Sequence, residues 1–78
     1  MQIYANQHGD SGVTHFEIHT DSIVVRFRNG RCYLYTSAGV GANSIESMKE
    51  LALAGRGLST FIARHPDVKQ GYGDSFEC

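Results

Sequence analysis

The sequence predicts an α+β fold: a three-stranded antiparallel β-meander over residues 13–19, 22–28 and 31–36, with two C-terminal helices, 44–54 and 57–65, packed on one face. Apolar and polar residues alternate along each of the first three runs, which is the period of a half-buried strand. Asn29-Gly30 separates the second run from the third, the strongest short-range signal for a hairpin. Ile45, Met48, Leu51 and Ala52 then recur at helical spacing, giving the apolar stripe of an amphipathic helix.

Residues 1–12 close with His8-Gly9-Asp10-Ser11-Gly12 and read as a flexible N-terminal segment, to which Ile3 and Tyr4 could add an edge strand. Thr20-Asp21 links the first two strands of the meander. Threonine resists positive φ, so a four-residue loop including His19 and Ser22 competes there with a two-residue turn. Both loops are even in length and keep one register. After Thr36, Ser37-Ala38-Gly39-Val40-Gly41-Ala42 reads as a flexible connection. Asn43 is the expected N-cap of the first helix, with Glu46 completing a capping box, and Gly55 is its stop. The second helix starts near Gly57 and carries Leu58, Phe61, Ile62 and His65 on one side until Pro66 halts it. The single domain is thus expected over 13–66, with 67–78 a flexible tail around Gly71-Tyr72-Gly73.

A two-residue turn at Asn29-Gly30 would pair Phe27 with Cys32, Val25 with Leu34 and Ile23 with Thr36. Phe16, Ile18, Ile23, Val25, Phe27, Cys32 and Leu34 would then share the core face. His15, Glu17, His19, Val24, Arg26, Arg28, Arg31, Tyr33 and Tyr35 would share the other. Two readings of that second face stand open: a solvated surface whose arginines lie on tyrosines, or a platform for an anionic partner. Arg28 opposite Arg31 points to the second, because like charges across strands repel and a bound phosphate or carboxylate relieves them. The candidate nucleic-acid or anion-binding residues are therefore Arg26, Arg28, Arg31, Tyr33 and Tyr35. Arg56, in Ala54-Gly55-Arg56-Gly57-Leu58-Ser59, is a further candidate, beside the reading of that stretch as a tight helix–helix corner.

The pattern Phe27-x-x-Gly30-x-x-Tyr33-x-Tyr35, followed by a helix, Ala54-Gly55-Arg56-Gly57-Leu58 and an amphipathic Phe61-Ile62, resembles the KTSC domain over about residues 11–66. That family occurs at the C-terminus of some lysyl-tRNA synthetases and as small stand-alone proteins. Its members place a Val-Pro pair after the tyrosines, where this chain has Ser37-Ala38-Gly39-Val40-Gly41. The resemblance implies a three-stranded sheet with helices and an RNA-related accessory role.

Composition narrows the field further. A chain of 78 residues, with 41% hydrophobic and 19% charged residues, is expected to form one globular domain. A net charge of −1 argues against wholesale attraction to nucleic acid or membrane. Cys32 on the core face and Cys78 in the tail suggest no disulfide and a reduced, cytoplasmic setting. No apolar run is long enough to span a bilayer. His15 and His19 would stand about 13 Å apart on one strand, too far to share a metal ion. No serine elbow, accessible thiol or paired acid and base suggests catalysis. Gly39-Val40-Gly41-Ala42-Asn43-Ser44 lacks the Gly-Lys-Ser/Thr of a phosphate loop. The expected function is a non-enzymatic accessory domain, with no catalytic residue, metal or cofactor, that binds single-stranded RNA or another anion weakly through the arginine and tyrosine face. The alternative is a protein-interaction or self-association module, monomeric or weakly dimeric.

Overall fold

A computed structural model describes every residue of the chain except His8 and Asp10, so part of the polar stretch before Ser11 lies outside the described residues. Five strands form one antiparallel sheet ordered along the chain: β1 (Gln2–Ile3), β2 (Val13–His19), β3 (Ser22–Phe27), β4 (Arg31–Thr36) and β5 (Asp74–Glu77). Between β4 and β5 come α1 (Ser37–Val40), α2 (Ala42–Ala54), α3 (Leu58–Arg64) and α4 (Pro66–Gln70). The α+β class and the antiparallel meander agree with expectation. Strand β5 and two added helices correct it, and β1 supplies at Gln2–Ile3 the edge strand that the N-terminal segment could add.

The β2–β3 register is the expected one. Phe16 pairs with Val25 and Ile18 with Ile23, and His19 faces Ser22 across Thr20-Asp21. Neither turn residue takes a positive φ, so the two-residue turn forms without the strain threonine would resist. Next to Val13 a bulge re-aims the strand, and the Thr14 hydroxyl donates to the Arg26 carbonyl at 3.2 Å.

The β3–β4 register differs by one residue. Arg26 pairs with Cys32, Val25 with Tyr33, Val24 with Leu34 and Ile23 with Tyr35. The reversal uses three residues, Arg28, Asn29 and Gly30. The Gly30 amide donates to the Phe27 carbonyl at 2.9 Å, Gly30 takes φ 86, and the Asn29 side chain accepts from the Arg31 amide at 2.9 Å. A turn followed by a left-handed glycine is the usual three-residue hairpin loop. Its odd length moves every β4 side chain to the opposite face.

One sheet face therefore contributes Val13, Phe16, Ile23, Val25 and Tyr35 to the core, against Ile45, Met48, Ala52, Leu58, Ile62 and Val68 of the helices. Thr36, not Asn43, supplies a side-chain cap, accepting from the Gly39 amide at 3.1 Å and starting α1 in the stretch expected as a flexible connection. Gly41 stands at the N-cap of α2 without a side-chain hydrogen bond, so the expected Asn43–Glu46 capping box does not define its start. Gly55 ends α2 in the left-handed region, as expected. Pro66 both halts α3 and occupies the first turn of α4, where its missing N–H is no loss.

Both terminal segments are built into the fold. Tyr4 is buried, and its hydroxyl accepts from the Leu58 amide at 3.2 Å. The Gln7 amide donates to the Gly55 carbonyl at 2.8 Å. At the other end, β5 pairs with β4 from Leu34↔Asp74 to Arg31↔Glu77, and Cys32 forms a disulfide with Cys78 across 6.0 Å between Cα atoms. The expectation of two free thiols is corrected. With β4 shifted, Cys32 leaves the helix-covered face and meets the added edge strand. Among the described residues, no helix is long and apolar enough to cross a membrane.

Two glycines in the left-handed region allow a graded test. A Cβ at Gly30 would meet nothing within 4 Å, whereas one at Gly55 would lie 2.5 Å from the Ala5 Cβ. Gly30→Ala should cost about 1–2 kcal/mol in urea denaturation, from backbone strain alone. Gly55→Ala should cost about 2–4 kcal/mol, because it also displaces the N-terminal segment.

Candidate binding cleft

The register disperses the expected cationic-aromatic platform. Arg26 lies on the face away from the helices, as the register partner of Cys32. Tyr33 and Tyr35 lie on the helix-covered face, paired with Val25 and Ile23. Arg28 is exposed in the loop. Arg31 does not oppose it. Its partner is Glu77, and its guanidinium donates to the Ser75 hydroxyl at 2.9 Å. The like-charge opposition that suggested a bound anion is therefore absent. Arg56 is exposed in the α2–α3 corner. The six candidates do not form one site.

The same register assembles a different one. A cleft of about 410 Å³ opens between the β3–β4 hairpin and helices α3 and α4, lined by Phe27, Asn29, Tyr33, Tyr35, Ser59, Ile62, Ala63, Lys69 and Tyr72. This volume falls within the range of small-ligand pockets. The sheet supplies one wall, α3 the opposite wall through Ser59, Ile62 and Ala63, and α4 adds Lys69. Tyr72, in the segment joining α4 to β5, closes a third side.

Its aromatic rings hold one another. Phe27 and Tyr33 meet edge to face with centroids 5.6 Å apart, and Tyr33 meets Tyr72 in the same way at 4.9 Å. Edge-to-face pairs at these distances add about 0.5–1.5 kcal/mol each beyond area burial. The rings leave room because they touch by edges rather than interdigitating.

The cleft's polar side chains are three phenols, an amide, a hydroxyl and the Lys69 ammonium. Burial, reinforced by the neighbouring Tyr33 and Tyr72, pushes the Tyr35 phenol up to about 12. Tyr35 therefore stays a protonated O–H donor throughout the neutral range. Hydroxyls that can donate, one cation and, among the described residues, no carboxylate, set in an apolar wall, suit an acceptor-bearing or anionic ligand.

Elsewhere His19 and His65 are occupied locally. His19 Nε2 lies 2.7 Å from Glu17 Oε2. His65 stacks on Phe61 and donates from Nδ1 to the Phe61 carbonyl at 2.7 Å. Among the described residues, no group of three His, Cys, Asp or Glu side chains is placed to hold a metal ion.

Sequence reasoning found Tyr33 and Tyr35 but put them on the wrong face, and it missed Phe27, Lys69 and Tyr72 as partners. The available signal for Tyr72 was an aromatic between two glycines, outside any apolar periodicity. Comparison with protein-family models, curated proteins and solved structures returned no match to this chain.

The raised Tyr35 value has a stability consequence of definite sign. In the unfolded chain the phenol ionises near its ordinary value of 10.0, whereas in the fold it ionises near 12. The stabilisation is complete below the lower value and is lost as pH rises through the upper one. Urea midpoints between pH 9 and 12 should therefore fall more steeply for the parent protein than for Tyr35→Phe. Parallel curves for the two proteins would show that Tyr35 is not the group responsible.

Proposed function

We propose that this chain is a non-enzymatic binding module whose cleft takes a compact, flat, largely apolar anion, of which an aromatic carboxylate is the simplest example. One observation carries the reading: Phe27, Tyr33, Tyr35 and Tyr72 converge on a single cleft with Lys69. The ring of such a ligand contacts Ile62, Ala63 and the tyrosine edges. Its carboxylate meets phenolic O–H donors and the ammonium. Tyr35 suits this role because its phenol lines the cleft beside Tyr33 and Tyr72. At roughly 0.3 kcal/mol per non-hydrogen atom, a ligand of about ten such atoms would bind with a Kd of about 6 mM.

The anionic partner expected from the sequence survives in this proposal, moved from the outer face into the cleft. Single-stranded RNA, the partner suggested by the KTSC-domain resemblance, is the competing reading. It shares the chemistry of stacking on tyrosine beside a cation.

Amide chemical shifts followed during three titrations separate the readings. Phenylacetate should perturb Tyr33, Ile62 and Tyr72, and bind about two- to fivefold more tightly than 2-phenylethanol, since an exposed ion pair contributes about 0.5–1 kcal/mol. Tyr72→Ala should weaken it further. A uridine octamer that perturbs the same amides, with affinity falling as salt rises, would favour RNA instead. Silence of the cleft amides in all three titrations would remove it as a binding site.

A further inference from the structure

Cys32 and Cys78 are bonded on the sheet face that the helices leave open. Their environments are unequal: Cys32 is completely buried, whereas Cys78 is exposed. Arg26 is the register partner of Cys32. Its Nε is buried and has no hydrogen-bond partner among the described residues. A shallow crevice on this face is lined by Met1, His15, Arg26 and Cys78. Thus one cysteine is open to an external thiol, and the other sits across from a guanidinium with an unused donor.

The crosslink also lies close in sequence to the cleft. It joins positions 46 residues apart, fixing the far end of β5 on β4. Tyr72 lies just before β5 and packs against Tyr33. Without the crosslink, β5 is held by a four-residue ladder flanked by the Gly73 amide on the Leu34 carbonyl at 2.7 Å and the Cys78 amide on the Gly30 carbonyl at 3.5 Å, with the Arg31–Ser75 hydrogen bond. A strand that short at a sheet edge opens readily.

We propose that Cys32–Cys78 is a thiol-addressable switch that sets the order of β5 and, through Tyr72, the closure of the cleft; its second half rests on the ligand reading above. The reductant is a dithiol. Its thiolate attacks Cys78 Sγ, the Cys32–Cys78 bond breaks, and the electron pair leaves on Cys32 Sγ. The departing thiolate forms opposite Arg26, and stabilising the leaving thiolate speeds exchange. The second thiol of the reductant then attacks the mixed disulfide, releasing Cys78. The protein gains two electrons and two protons, and the dithiol becomes a disulfide. Arg26 is a positioning residue here, since it acts through the charge of Cys32. The burial difference directs attack to Cys78.

The full chain tests both halves separately. Dithiothreitol should reduce the bond without denaturant, with thiols counted by maleimide mass-tagging. Arg26→Gln should slow that reduction about three- to tenfold, with unchanged urea stability of the oxidised form showing that the fold is intact. Hydrogen exchange with no ligand present should show amides of residues 72–77 losing protection on reduction while those of α2 keep theirs. Cys78→Ser should reproduce the reduced pattern. Phenylacetate should bind the reduced form about three- to tenfold more weakly, the scale of one lost aromatic wall. A bond resistant to dithiothreitol or unchanged protection at 72–77 would each overturn the switch, and equal reduction rates for parent and Arg26→Gln would overturn the role given to Arg26. Released β5 with no phenylacetate binding by either form would overturn the cleft reading and the coupling to it, and the strand release would stand by itself.

Discussion

Side chains on a β-strand alternate between two faces, so the residue count of a reversal decides what the next strand offers to each. Between β3 and β4 that count is three. The Phe27 carbonyl accepts from Gly30, Gly30 takes φ 86, and Asn29 holds the Arg31 amide. Tyr33 and Tyr35 thereby turn toward the helices, and Cys32 and Leu34 turn away. Helices α3 and α4 then pack over phenols instead of a thiol and an isobutyl group. Large rings meeting edge to face leave a gap that smaller aliphatic side chains could interdigitate to fill, and that gap is the cleft.

The legible parts of the fold are those where the pattern admits a single solution. In β2 and β3, Phe16, Ile18, Ile23 and Val25 fall on one parity, with polar residues dominating the other, so their register could be read directly. In β4 both parities are apolar enough to be buried: Cys32 and Leu34 on one, Tyr33 and Tyr35 on the other. Alternation cannot choose between them. Asn29-Gly30 does not decide either, because glycine in the left-handed region ends a three-residue loop as readily as it completes a two-residue turn. The outcome followed the larger apolar area available to tyrosines beneath helices, a tertiary term absent from any local window. Gly55 was legible as a helix stop because its left-handed conformation is a local requirement. The start of α2 was not, since Thr36 caps an extra turn upstream.

The chain's ends were illegible for a related reason. Val68 is buried although its neighbours Asp67 and Lys69 are exposed. Five helical residues carry too little periodicity to announce themselves. Strand β5 is shorter still and alternates Ser75 with Phe76. Likewise Tyr4 joins the core with its hydroxyl accepting from the Leu58 amide and its own amide donating to the Thr14 carbonyl. Segments of this kind gain their structure from what they dock against. Here they also cover both edges of the meander, which limits the unpaired backbone offered to other chains.

The cleft and the disulfide are therefore not independent features. Both follow from the parity of β4: what sends the tyrosines inward also sends Cys32 outward, to the side that Cys78 reaches from β5. A two-residue reversal would bury Cys32 under the helices, turn the tyrosines to the open face and leave β5 without its crosslink. The strand that carries Tyr33 and Tyr35 on the sheet wall of the cleft is the strand to which β5 is bonded, and a further cleft ring, Tyr72, belongs to the segment that leads into β5. In a core this small, a hollow lined by large rings gives up packing that neighbouring segments must restore. The covalent tie at Cys78 and the polar tie at Tyr4 lie at opposite ends of the chain. Each fixes a segment that a short strand alone would hold weakly.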